Sequence, residues 1–129
     1  WHIVRFKFID NTSIPRYMFD SCKRIKEIII SDNITTIGQS AFNQCTAINT
    51  ITIPESVTHI EGYTFNNTNI KEIVCLPLIA PSVPHYDTFR NIPPGGVLKI
   101  PSGSDYSAWM STNDYYLGSR NWSIEEFDI

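Results

Sequence analysis

The 129-residue chain is 42% hydrophobic and carries a formal net charge of −3, which is length and apolar content enough for one domain with its own core. Its slight acidity argues against a nucleic-acid binder, which shows a basic face, and against electrostatic anchoring on anionic lipid. No apolar run reaches the roughly 18 residues of a membrane helix, and a start at Trp1 without methionine marks a processed protein or a fragment.

The chain opens with a truncated unit. Ile3, Phe6 and Phe8 carry an I-x-x-I-x-I spacing that returns at Ile25, Ile28 and Ile30 and at Ile48, Ile51 and Ile53. From Ile14 to Leu76 a unit of 23 residues is written nearly three times: Ile14, Ile37 and Ile60 keep that interval, as do Phe19, Phe42 and Phe65. The third copy loses one residue before Ile70, so Ile73 and Cys75 arrive one position early. A fixed period of this size is the mark of a leucine-rich-repeat solenoid.

Within each unit the last two apolar residues alternate at period two, as one face of a strand requires. Each copy therefore gives one strand of a parallel sheet. A turn and a second extended piece follow, Asn33–Ile37 or Ser56–Ile60. A short polar run then ends in the repeated Phe, and its length predicts a single helical or 3₁₀ turn. The Phe is expected to fill the core from the side opposite the sheet, neighbouring copies supplying the rest.

From Pro77 the period breaks among Pro77, Pro81, Pro84, Pro93, Pro94 and Gly95-Gly96. Strand character returns at Val97–Ile100. Ser104 or Asp105 is placed to cap a short helix through Tyr106, Ala108, Trp109 and Met110. Ile124, Phe127 and Ile129 restate the strand spacing and predict a last strand closing the sheet. The fold class expected is α/β: a right-handed, strand-rich solenoid with a parallel sheet on one face and short 3₁₀ or helical turns opposite. Its parts are 1–76, repeats with the first truncated, and 77–129, a proline-rich connection and C-terminal cap of the same domain.

Residues 37–58, from Ile-Gly-Gln-Ser-Ala-Phe-Asn-Gln-Cys through Ile-Thr-Ile-Pro-Glu-Ser-Val-Thr, resemble the BspA-like (Treponema pallidum type) leucine-rich repeat, approximately I-G-x-x-A-F-x-x-C-x-x-L-x-x-I-x-I-P-x-x-V-T. The flanking copies match more loosely: Ile14-Pro15 replaces Ile-Gly, and Thr68 replaces Cys. Leu98–Gly103, Tyr106 and Trp122 resemble the family's ending, with Tyr115–Gly118 as an insertion. The resemblance implies an adhesion or interaction module, extracellular or at the cell surface, with a signal or lipoprotein anchor upstream. Such proteins are found in Bacteroidetes and in some parasitic protists. It brings no shared catalytic residues.

Chemistry has few footholds. His2, His59 and His85 lie in different contexts and no metal-ligand spacing occurs, so no metal and no cofactor is expected. Cys75 and His85 are the one Cys–His pair within a short loop, but Cys75 takes the inward place of Ile30 and Ile53, where a thiol is buried and inert. Glu125 and Glu126 point to opposite faces of a strand, and Gly95-Gly96 precedes a strand, not a helix, so it is no phosphate cradle. The reading is that the protein is not an enzyme. Three cysteines are no disulfide framework. Cys22 and Cys45 hold one place in successive copies; a bridge between them is conceivable, and two buried thiols is the reading taken.

Two surfaces remain for a ligand. Stacking sets Lys26, Asn49 and Lys71 in one outward row, Glu27, Thr50 and Glu72 in a second, and Ile29, Thr52 and Val74 in a third. The other is the aromatic C-terminal part, where Tyr115 and Tyr116 are the expected exposed pair while Tyr106, Trp109 and Trp122 are equally suited to pack in the cap. The partner expected is a host or matrix protein or a glycan, with no nucleic acid and no membrane insertion.

Overall fold

The structure, a computed structural model, describes residues 2–5, 12–84 and 86–128. Its strands in chain order are β1 (His2–Arg5), β2 (Ser13–Ile14), β3 (Ile25–Ile29), β4 (Thr36–Ile37), β5 (Thr50–Ile53), β6 (His59–Ile60), β7 (Glu72–Cys75), β8 (Val97–Pro101) and β9 (Ser123–Phe127). Every pairing is parallel, and each strand meets the one a coil later: β1 with β3; β2 with β4 and β6; β5 with β7, β8 and β9 in series. This is the strand-rich solenoid the repeat predicts. Among the described residues there is no α-helix, and the helical content is two 3₁₀ segments, Tyr86–Phe89 and Leu117–Arg120.

Alternation decides the sheet. In β5, Thr50 and Thr52 are exposed while Ile51 and Ile53 are buried. The register Ile51↔Ile73↔Leu98 and Ile53↔Cys75 lines the inward residues into two continuous rows. Ile14, Ile37 and Ile60 from the short strands face them across the core. Between these walls runs a stack of rings: Phe19 and Phe42 have centroids 5.6 Å apart, Phe42 and Phe65 6.1 Å, Phe65 and Phe89 6.0 Å. Trp109 and Tyr106 end the stack in tilted and edge contacts. Beyond Leu76 the sequence repeat is lost, yet Phe89 holds the stack's next place and β8 pairs with β7, so the path of the coil is kept.

Of the helical or 3₁₀ turn expected before each repeated Phe, the structure has a single i to i+3 turn, Met18 N to Pro15 O and Ala41 N to Gly38 O, with a left-handed residue and no helical continuation. Tyr17, Ser40 and Tyr63 have φ near +60° at equivalent places, as do Ser21, Gln44, Asn67 and Asn91. The reason is where the amides go. Tyr17 N donates to Gln39 O at 3.0 Å, Phe19 N to Ala41 O at 2.9 Å and Ser40 N to Gly62 O at 2.9 Å. A helical turn would spend these amides within one coil; here they tie each coil to the next.

Three further expectations are corrected. In the truncated first copy, Val4 pairs with Ile28, so the strand lies two residues earlier than the spacing of Phe6 implies; Phe6 and Phe8 lie outside the described residues. The helix expected after Ser104 is a run of turns. Asp105 Oδ1 does accept from Ser107 N at 2.9 Å, but the Trp109 carbonyl accepts from Leu117 N at 3.0 Å and is lost to any helix. The last strand is present, but Ile124 pairs with Leu98 and so takes the row of Ile51 and Ile73, three residues from the place of Ile48 that its spacing suggested; Ile129 lies outside the described residues. Glu126 pairs with Ile100, and its Oε1 accepts from Gly103 N at 3.3 Å.

Candidate functional site

The first two coils are laddered together along their turns and at β2–β4, but not along the outer sheet. Between β3 and β5 no strand pairing forms, and no backbone hydrogen bond joins them. One coil further on, β5 and β7 pair in full, with Lys71 N and Glu72 N both donating to Asn49 O. The sheet thus parts at a single place on its outer face.

The parting is a groove of about 920 Å³ lined by Lys26, Glu27, Ile29, Asn49, Thr50 and Thr52, with Ser31 and Asp32 at one end. All six are outward residues that stacking assigns to a ligand surface, five of them polar: Lys26, Glu27, Asn49, Thr50 and Thr52. Apolar Ile29 and Leu76 line the same groove as the charged Lys26 and Glu27, so the groove offers both burial and hydrogen bonding. Ser31 Oγ, at its wall, is buried without a protein partner. Such an atom is costly to leave unpaired.

Glu72 and Val74 stand on β7 and Lys71 just before it, all outside the groove. Glu72 is engaged by Lys99 Nζ at 2.7 Å. That hydrogen bond and the carboxylate's charge hold the Lys99 ammonium above its ordinary pKa. Both groups are about a third exposed, so the pair orders the surface more than it stabilises it.

The aromatic surface divides. Tyr115, 41% exposed, lines a cleft of about 490 Å³ with Asp87, Arg90, Asn91, Asp114 and Arg120. Tyr116 is partly buried and packs on the core, so it is not the exposed partner expected. Arg120 folds the loop on itself, its Nη1 donating to Asp114 O at 2.7 Å and Tyr116 O at 3.0 Å. Desolvation lowers this guanidinium's pKa. Tyr106, Trp109 and Trp122 are buried, their polar atoms donating to the carbonyls of Pro77, Pro81 and Pro93.

Among the sequence's other candidates, His59 is exposed, its Nδ1 within 2.8 Å of Thr58 Oγ1. His85 lies outside the described residues. Cys75 is fully buried and burial pushes its thiol well up. Glu125 and Glu126 pair with Lys99 and Ile100, on opposite faces of β9. Among the described residues no group of three or more His, Cys, Asp or Glu is placed to hold a metal, and no helix is long and apolar enough to cross a membrane.

Side-chain periodicity could not reveal the parting of β3 from β5, because Ile28–Ile30 reads like any inward strand. Ser31, Asp32 and Leu76 were missed for that reason. A stack of coils presenting polar side chains on an outer parallel sheet defines a leucine-rich-repeat solenoid, the architecture of a protein-interaction module. Residues 6–86 match the family model described as BspA type Leucine rich repeat region (6 copies), and the chain belongs to that family. No curated protein matches the chain.

Proposed function

We propose that the chain is a non-enzymatic, secreted or surface-displayed module that binds a host or matrix protein on the outer face of its sheet, in the groove between β3 and β5. One observation carries this reading: the groove is bordered by five of the outward residues that repeat stacking singles out, Lys26, Glu27, Asn49, Thr50 and Thr52. Leucine-rich repeats bind through extended outer surfaces, and members of this family are typically secreted or surface proteins. A protein segment suits the site because unladdered strand edges and the Ser31 hydroxyl ask for hydrogen-bond partners while Ile29 and Leu76 ask for apolar cover. Residues 77–129 serve as the cap that covers the end of the stacked core.

The test is binding of the purified chain to an array of host matrix proteins, mucins and polysaccharides. The expected result is a protein ligand whose affinity falls at least about fivefold in Lys26→Ala and Asn49→Ala, a loss of about 1 kcal/mol, and is unchanged in Lys71→Ala. A polysaccharide ligand sensitive to Tyr115→Ala would move the site to the cap cleft. Silence across the array, with the chain folded, would favour a structural spacer with no ligand of its own.

A further inference from the structure

We propose that Cys22 and Cys45 form an intramolecular disulfide that staples the first two coils together beside the β3–β5 groove. The structure holds both as thiols. They lie one repeat apart, and two ladder bonds set the coils in register just before them, Phe19 N to Ala41 O at 2.9 Å and Ser21 N to Asn43 O at 2.8 Å. Stacked positions are about 4.8 Å apart, inside the roughly 4.4–6.8 Å between Cα atoms that a disulfide spans.

The two residues also converge on one atom. Cys45 Sγ donates across the coils to Phe19 O at 3.0 Å, and Cys22 N donates to the same oxygen at 3.1 Å. The Cys45 sulfur and the Cys22 amide therefore meet at one carbonyl oxygen, and the proposed bond needs only that the Cys22 side chain turn toward that sulfur. In the third copy the place is filled by Thr68, whose hydroxyl bonds within its own coil, to Phe65 O at 3.0 Å. The pair is thus confined to the coils that lack a ladder between β3 and β5.

The two thiols differ in access and acidity, which sets the order of attack and makes the second step the slow one. Cys22 is partly exposed and can meet an oxidant; Cys45 is buried, and desolvation pushes its thiol up to about 12. With a small disulfide such as oxidised glutathione, the Cys22 thiolate attacks one sulfur and releases one glutathione thiolate. Cys45 then loses its proton as it attacks the mixed disulfide and releases the second glutathione. Two protein thiols are oxidised, one disulfide is reduced, and both protons leave on the glutathione thiols. The extracellular setting proposed above favours this direction, although the bond itself rests on coil register alone.

The experiment is incubation of the full chain with excess oxidised glutathione, followed by intact-mass measurement and peptide mapping. The expected product is lighter by two hydrogens, joined at Cys22 and Cys45, and unfolds roughly 5–10 °C higher until a reductant is added. Cys22→Ser, a change at a partly exposed site, should give neither the mass loss nor the shift. A lasting glutathione adduct on Cys22, a bridge through Cys75, or both thiols unchanged would each overturn the proposal.

Discussion

Phe42 lies on Phe65 with ring centroids 6.1 Å apart and planes within 6° of parallel. Both are fully buried, and each also touches the next ring in the stack. Truncating Phe42 would therefore remove contacts on both sides of one coil and leave a cavity that its ladder-bonded neighbours cannot close. Phe42→Ala is expected to cost about 3–5 kcal/mol, measured by urea unfolding. Phe19→Ala, at the end of the described stack, should cost less.

Gly38 is the point of closest approach between the second coil and the first. A Cβ there would sit 2.6 Å from Ile14 O and 2.8 Å from Arg16 N, both backbone atoms of a laddered neighbour. Gly38→Ala should destabilise by about 1–3 kcal/mol, the usual scale of overpacking. Gly95, whose added Cβ would meet nothing, carries only the strain of its φ of +78°. The comparison of the two unfolding midpoints tests the fit between coils.

Stability should fall on the alkaline side. Burial pushes the Cys45 thiol up to about 12, and it also raises the Cys75 thiol and the Tyr106 hydroxyl. The unfolded chain releases its thiol protons near pH 8.5. Between there and the folded value of Cys45 the native state binds more protons than the unfolded one, so the stability these groups contribute at neutral pH is lost as pH rises. Urea midpoints measured from pH 8 to 11 should decline steadily; a flat profile would contradict the burial of these groups.

The paired tyrosines of the cap should separate by variant. Tyr116→Ala removes a ring packed on the core and should lower the unfolding temperature by several degrees. Tyr115→Ala should leave it within about 0.5 kcal/mol of the parent, as expected for an exposed side chain.

The rows of the sheet were legible because a repeat of 23 residues and a period of two fix which side chains stack and which face outward. Thr50↔Glu72 and Thr52↔Val74 fall where that arithmetic puts them. What it misses depends on backbone hydrogen bonds, to which side-chain pattern is blind. Tyr17 and Ser40 adopt left-handed backbone where neighbouring coils claim their amides, and Tyr63 repeats that backbone one coil on, although none is a glycine. The parting of β3 from β5 is of the same kind. So is the loop of Tyr116, folded on itself by Arg120 reaching two of its carbonyls.

The inward row that begins with Ile53, Cys75 and Ile100 ends on Glu126. Any strand laid against β9 would have to seal a carboxylate beneath it with no counter-charge on that row. Solenoids are open-ended by construction, and one whose edge accepted the next coil of another molecule would grow into a fibre. Here a single acid at the rim makes that growth unfavourable.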